Sequence, residues 1–487
     1  MELFPAWQNR STLTPSAACP TGSRSRNWRR CALEIPRIVV SAAASDSGKT
    51  LVTAALLRIL VRRGIRVQPF KVGPDYIDPM YHRLASGRPC RNLDSWIMDE
   101  GTILSSFISG SNGKDIAVIE GVRGLYEGES PVGDPGSTVH VAKILKSPVV
   151  LVLNCHSLTR SAAAQILGLK ALDREVLIAG VILNKVSDAR HEEKLRRAIS
   201  HYTGMPVLGV LYRDPQLEIK KRHLGLITSH ELPGAEAAIE RAAEALEKSL
   251  DLDRLLELAA SAPPLESTMM AVKRESSGLR IGFFIDAPFS FYYHENVEAF
   301  RMMGAEISVI DSLSDRGVDP EVSGVIIGGG YPEVFSEGLE GNQSMRHSLK
   351  SSIYEGMPAI GECGGLMYLC RTIEYNGIRR QMVGVFDGDV IMHSRPKALS
   401  YVELESFRSS IVAGEGTVVR GHEFHYSSVE GLSGEFTFRV LRGKGIRDHL
   451  DGIMCQNAIG MYTHLHYLSC PSVPARFLDA CRAYSRC

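Results

Sequence analysis

The chain has 487 residues, enough for two or three domains that each bury a core of their own. Its 55 basic and 55 acidic residues balance, so no bulk field draws it to nucleic acid or to an anionic membrane, and 44% hydrophobic with 23% charged residues is the make-up of a globular protein. No apolar run reaches the roughly 18 residues a membrane span needs, and ten cysteines without a CxxC pair are too sparse for a disulfide scaffold, so a reducing, cytoplasmic setting is expected.

Residues 1–34 carry Arg10, Arg24, Arg26, Arg29 and Arg30, many Ser, Thr and Pro, and only two acids, Glu2 and Glu34. The composition is that of a transit peptide without its amphipathic helix. The segment is expected to be a disordered or mis-assigned N-terminal extension.

The first folded domain is expected over 35–260. It opens with an apolar strand, Ile38 to Ser41, which runs into Ala42-Ala43-Ala44-Ser45-Asp46-Ser47-Gly48-Lys49-Thr50 and then a helix from Leu51 to Val61. Gly48, Lys49 and Thr50 fit the end of a P-loop, although Ala43 stands where its first glycine belongs. Chance matches to Gly-Lys-Thr are common. Placement between a strand and a helix is much rarer, because there the backbone N–H groups, including that of Ser47, cradle phosphates. Lys49 then neutralises the terminal phosphates and Thr50 reaches Mg²⁺. A second strand from Val67 leads into Lys71-Val72-Gly73-Pro74-Asp75-Tyr76-Ile77-Asp78-Pro79, which reads either as a surface turn or as a ligand loop at a strand's C-terminal end. A third, Ile116 to Ile119, ends at Glu120, the expected second Mg²⁺ anchor with Asp75 as its partner. Strands over 148–153 and 176–183 end at Asn154 and at Asn184-Lys185, where an asparagine either recognises a base or caps a turn. Alternating strands and helices predict a parallel, doubly wound sheet. One helical run is expected from Ala235 to Ala260, and residues 261–278, polar and rich in Pro and Ser, read as a linker.

The second domain, 279–487, opens on another buried strand from Leu279 to Ile285. Phe291-Tyr292-Tyr293 beside Glu295-Asn296 suit either core packing or a flat ring substrate. Val325 to Ile327 run into Gly328, Gly329 and Gly330, whose N–H groups suit an oxyanion. Met357 to Ile360, then Gly361-Glu362-Cys363-Gly364-Gly365 and an apolar helix-like run, have the strand, glycine-bracketed turn and helix of a nucleophile elbow. A thiol at that helix N-terminus is expected to favour its thiolate. The plain alternative is one more buried cysteine. A nucleophilic cysteine needs a histidine, and Met461 to His466 supplies His464 and His466. Gly421 to Ser427 holds two further histidines without a ligand set around them, and a substrate- or interface-facing role is favoured over a metal.

A glycine loop, Cys363 and His464 in that order resemble a class I glutamine amidotransferase. Joined to a P-loop half, and with QPFKVGPDYIDPMYH (68–82), RNLDSW (91–96), EGVRGLYEG (120–128), RHLGL (222–226), FSFYYHEN (289–296), GGGYPE (328–333), GECGGLMYL (361–369) and GHEFHYS (421–427), the chain closely resembles the cobyrinic acid a,c-diamide synthases over about residues 35–470. The resemblance implies two α/β domains: an N-terminal P-loop domain like dethiobiotin synthetase with a parallel sheet, and a C-terminal class I glutaminase domain. It implies a ligase that uses ATP, Mg²⁺ and L-glutamine to amidate the a and c acetates of a tetrapyrrole, cobyrinate or nickel-sirohydrochlorin, through an acyl phosphate. Cys363 and His464 would be catalytic. Ser47, Gly48, Lys49, Thr50, Lys71 and Asn184 would bind nucleotide, and Thr50, Asp75 and Glu120 would hold the metal. Neither nucleic acid nor a membrane is an expected partner, and a homodimer is an open expectation. Three departures stand out: Ala43 in the P-loop, Asn154 where many members carry aspartate, and His464-Leu465-His466 in place of the usual His-x-Glu. The last leaves the glutaminase without a nameable acid. Cobyric acid synthase chemistry, or a P-loop regulatory ATPase with an inactive glutaminase domain, are the alternative readings.

Overall fold

Eight strands of the first half show why a buried sheet needs apolar runs rather than alternation. They are β1 (Cys31–Leu33), β2 (Arg37–Ala42), β3 (Val67–Val72), β4 (Arg91–Leu93), β5 (Ile116–Glu120), β6 (Val149–Asn154), β7 (Ile178–Val186) and β8 (Val207–Tyr212). The last seven form an all-parallel sheet in the order β4-β3-β5-β2-β6-β7-β8. β2, β3 and β5 are buried along their whole length, between cores on both faces of the sheet. This is a computed structural model, and it describes residues 31–217, 221–222, 225–226, 234–267 and 276–486. His223 and Leu224, residues 1–30 of the N-terminal extension and residues 268–275 of the linker lie outside the described residues.

Two boundaries differ from expectation. Cys31–Leu33, placed in the extension, pairs antiparallel with Leu265–Ser267, placed in the linker, so the chain entering the first domain is tied to the chain leaving it. Beneath this pair Arg37 is fully buried, donating from Nε to Leu145 O at 2.6 Å and from Nη2 to Pro263 O at 2.5 Å. The run expected as one helix is two, Ala235–Glu247 and Leu252–Ala260. Asp251 starts the second by accepting a hydrogen bond from Arg254 N–H, and an N-cap aspartate is a stronger local signal than continuing apolar periodicity.

The second half is built on a ten-stranded mixed sheet. Five parallel strands, Glu306–Ile310, Arg280–Phe284, Gly324–Ile327, Ala359–Glu362 and Ala458–Met461, form one side in that order. The antiparallel strands Leu450–Cys455, Glu435–Arg442, Ala398–Ser406, Val418–His425 and His464–Leu465 complete it. Register, more than loop geometry, assembles the chemistry. In the first sheet it sets Lys71 beside Glu120, and in the second it sets Glu362 beside Met461 and His422 beside His464.

The halves meet across polar and aromatic contacts. Asn92 N–H donates to Glu295 Oε1 at 3.0 Å, Tyr401 OH to Asp94 Oδ2 at 2.8 Å, and Arg91 pairs with Glu298. Trp96 stacks on Tyr401 at 4.6 Å. Among the described residues no helix is long and apolar enough to cross a membrane.

Candidate active site

The nucleotide half of the site lies at the C-terminal ends of β2, β3 and β5, where parallel sheets bind ligands. Gly48 has φ +87°, a left-handed conformation that glycine adopts without strain, and a Cβ there would lie 2.2 Å from Asn184 Nδ2. Asn184 donates from Nδ2 to Ser47 O at 2.8 Å, so it supports the loop from beneath. Ser47 donates its hydroxyl to Ala44 O at 2.8 Å, closing the loop on itself. Lys49 donates to Arg123 O, and burial lowers its pKa. Thr50 Oγ1 sits 3.2 Å from Asp78 Oδ1 and 3.0 Å from Glu120 Oε1. Lys71 lies among the acids, with Nζ 2.5 Å from Asp78, 3.3 Å from Glu120 and 3.9 Å from Asp75.

Charge decides which of these groups is ionised. Burial opposes the Lys71 ammonium, but Asp78, Glu120 and Asp75 outweigh it and push its pKa up. Burial likewise opposes the Glu120 carboxylate, yet Lys71 and the hydrogen-bonded His82 hold its pKa down at about 2. Asp78, crowded by burial and by the like charges of Asp75 and Glu120, is pushed well up. Sequence reasoning put Asp78 in a possible ligand loop without giving it a role, and passed over His82. Their i, i+4 spacing on the helix Ile77–Ser86 was the available signal, since it sets both on the face turned to β5. Asp75 instead accepts hydrogen bonds from the N–H groups of Ile77 and Asp78, which start that helix. A hydroxyl and two carboxyl groups converging at Thr50, Asp78 and Glu120 are a hard oxygen set that suits Mg²⁺ completed by phosphate and water, and a bound cation would favour the ionised form of Asp78. Among the described residues no group of three His, Cys, Asp or Glu side chains is placed to hold a metal ion.

The second half of the site gathers around Cys363. This residue has φ +50° and ψ −97°, a strained conformation for a non-glycine residue and the mark of a nucleophile elbow. The turn is possible only between glycines: a Cβ on Gly365 would lie 2.0 Å from Ile327 O. On Gly330, at φ +156°, it would lie 1.9 Å from Pro288 O. The Gly328–Gly330 loop packs directly on the elbow, with Gly330 N 3.0 Å from where a Cβ of Gly364 would be. A cavity of about 330 Å³ holds Cys363, His464, Gly330, Tyr331, Glu333, His425 and Tyr426 on its wall, within the size range of small-ligand pockets.

The expected thiolate is corrected here. Burial, then the charges of Glu333 and Glu362, push the Cys363 thiol up to about 12, and the Gly364 N–H offsets only part of this. His464 shares the cavity wall with Cys363. Burial and the neighbouring His422 and His425 push its pKa well down, leaving a neutral imidazole that accepts a proton. His466 is not on the cavity wall. It packs on Tyr293 at 4.6 Å, with Nε2 3.9 Å from Glu295 Oε2. The buried strand Val418–His425 brings His422 and His425 to the wall of the Cys363 cavity. Beside Cys363, Glu362 is buried and burial pushes its carboxyl up to about 8.

The two halves share a wall. Pro74, Asp75, Tyr76, Ile77 and Asp78 of the nucleotide domain also line the Cys363 cavity. Tyr76 stacks on Phe291 at 5.3 Å and tilts over His464 at 5.3 Å. Phe291 and Tyr293 of the aromatic stretch therefore seat a tyrosine of the first domain.

Comparison with known proteins agrees with this division. The profile of the CobQ/CobB/MinD/ParA nucleotide binding domain matches residues 38–227, and that of the CobB/CobQ-like glutamine amidotransferase domain matches residues 280–471. The cobyrinate a,c-diamide synthase of Methanothermobacter thermautotrophicus is 45% identical over 446 residues, covering 91% of this chain and 98% of the relative. Those of Archaeoglobus fulgidus and Methanosarcina acetivorans are each 43% identical, covering 92% of this chain and 97% and 95% of the relatives. With a P-loop half, a glutaminase half and this identity over nearly the whole length, the chain belongs to the cobyrinate a,c-diamide synthase family.

Proposed function

We propose that the protein is a glutamine-dependent ligase that uses ATP to convert two acetate side chains of a tetrapyrrole, the a and c positions of cobyrinate or nickel-sirohydrochlorin, into amides. The observation that carries this reading is the shared wall: Asp75 and Asp78 belong at once to the nucleotide site and to the lining of the Cys363 cavity. A carboxylate is a poor electrophile, so a phosphoryl group from ATP must first turn its oxygen into a leaving group. Ammonia then attacks the carbonyl carbon and phosphate departs. Ammonia released next to the acyl phosphate meets it before water does.

In the glutaminase half, the Cys363 thiol passes its proton to His464 as sulfur attacks the carboxamide carbon of glutamine. The Gly328–Gly330 loop supplies N–H groups for the oxyanion. The imidazolium then gives its proton to the leaving ammonia, and water hydrolyses the thioester to glutamate. In the synthetase half, Lys49 and the P-loop N–H groups hold the nucleotide's phosphates, with Asn184 and Ser47 fixing the loop. Lys71 stands beside the acids to offset their charge. Thr50, Asp78 and Glu120 would hold Mg²⁺, which supplies neutralisation of phosphate charge, and Asp75 shapes the shared wall. A homodimer is compatible with this scheme and is not needed by it.

The test is conversion of purified substrates. Cobyrinic acid and nickel-sirohydrochlorin, each with ATP, Mg²⁺ and glutamine, are followed by mass spectrometry. Each amide replaces OH by NH₂ and lowers the mass by about one unit, as the carboxylate-to-amide class requires. A transient mono-amide followed by a di-amide supports the reading; four amides, or none on either macrocycle, contradicts it.

A further inference from the structure

The catalytic histidine presents an unexplained nitrogen. His464 is 2% exposed on its side chain, and its Nδ1 has no hydrogen-bond partner among the described residues. An imidazole that is to accept a proton at Nε2 must carry its own proton on Nδ1, and something must fix that tautomer. Where an acid two residues further on is the usual solution, this chain has His466, which faces Glu295 instead.

The carboxylate nearest to that nitrogen is Glu362, with Oε2 3.9 Å from His464 Nδ1. Its position follows from the sheet. Glu362 ends the strand that delivers the nucleophile, in register with Met461, three residues before His464. The segment that carries the histidine also grips the acid. Tyr467 OH donates to Glu362 Oε1 at 3.3 Å, and the Leu465 N–H bonds the same carboxyl. Glu362 has no lysine or arginine within ion-pair distance among the described residues, so its burial is not repaid by a cation. Burial pushes this carboxyl up to about 8, so the form that acts is its ionised fraction, which grows as pH rises toward 8 and which an imidazolium forming at His464 favours.

We propose that Glu362 is the positioning residue for His464: it accepts the Nδ1–H, fixes the tautomer that turns Nε2 to the Cys363 thiol, and stabilises the imidazolium. The proton travels from Cys363 Sγ to His464 Nε2 and on to the leaving ammonia; Glu362 takes no proton. Closing the gap to a hydrogen bond of about 2.8 Å needs a shift of about 1 Å, within what apo active sites undergo on binding substrate. The acid of the usual triad is thus moved from the histidine's strand to the nucleophile's strand.

This rests on the glutaminase assignment, so the experiment carries Cys363→Ser in parallel. Glu362→Gln keeps shape and size while removing the charge. We expect its kcat for glutamine hydrolysis to fall by about 10²-fold, with KM for glutamine within about threefold of the parent, because tautomer and charge act on the transition state. Synthesis driven by ammonium salts should stay within about twofold, which also reports that the variant folds. A downfield Nδ1–H resonance of His464, identified by its loss in His464→Ala, should vanish as well. A fall in kcat smaller than about tenfold, an unchanged resonance, or a parallel loss of ammonium-driven synthesis overturns the proposal and leaves Glu362 as packing for Tyr467. Glutamine hydrolysis surviving in Cys363→Ser would instead overturn the glutaminase assignment.

Discussion

At the scale of the residue, the proposed reaction starts from a Cys363 and a His464 that are both uncharged at rest. The thiol is pushed up to about 12 and the imidazole pushed well down, both chiefly by burial, so proton transfer starts from two neutral partners. Cys363→Ser should therefore abolish glutamine-dependent synthesis and spare the ammonium-driven reaction. His464→Ala should reproduce that pattern, and His466→Ala should lose far less, since His466 lies off the cavity wall. Steady-state rates with the two nitrogen donors check this, and a more damaged His466 variant would reverse the assignment. In the nucleotide half, Glu120→Gln and Asp78→Asn should each lower synthesis with both donors by about 10²-fold, as loss of a metal and phosphate anchor does. Asp75→Asn should cost less, because the Asp75 carboxylate caps a helix and stands 3.9 Å from Lys71. Equal losses in Asp75 and Asp78 variants would place the metal on the former.

At the scale of the element, the loop from Gly73 to Asp78 joins two chemistries. Its aspartates stand beside Lys71, and the Tyr76 ring between them closes on His464, His422, Phe291 and Tyr293. Tyr76→Ala should open the cavity and raise glutamine hydrolysis in the absence of ATP and tetrapyrrole by about tenfold, with less amide formed per glutamine consumed. Glutamate and amide measured in the same reaction decide it; an unchanged ratio would make Tyr76 a mere packing residue. Much of this was legible in sequence: the P-loop between a strand and a helix, Glu120 at a strand end, the glycine-bracketed Cys363 and the distant His464. The missing parts depend on contacts between distant strands. Asp78 and His82 reach Glu120 only once β3 and β5 are paired, and Glu362 meets His464 only across two further strands. The thiol's protonation was misread because burial outweighs the partial charge of a helix of six residues, Gly364–Leu369.

At the scale of the molecule, the interface between the halves holds a buried acid. Burial pushes Glu295 up to about 7 from its ordinary 4.5, against the opposing pull of Arg91. Between these values the folded chain binds more protons here than the unfolded chain does. Stability is therefore lost as pH climbs from about 4.5 to about 7 and stays lower above that. Glu295→Gln still accepts a hydrogen bond from Asn92 N–H, so it should stabilise the protein at pH 8 by on the order of 2–3 kcal/mol and change little near pH 4. Thermal melts at the two values check the sign; a variant less stable at pH 8 would show that the Arg91 and Asn92 contacts outweigh desolvation.

The same interface makes the central claim measurable, namely that ammonia freed at Cys363 is consumed at the nucleotide site of the same chain. The enzyme is given amide-labelled ¹⁵N-glutamine, ATP, Mg²⁺ and tetrapyrrole in an excess of unlabelled ammonium, and the di-amide is read by mass spectrometry. The shared wall predicts ¹⁵N at both new amides. Incorporation of nitrogen in proportion to the surrounding pool would contradict it.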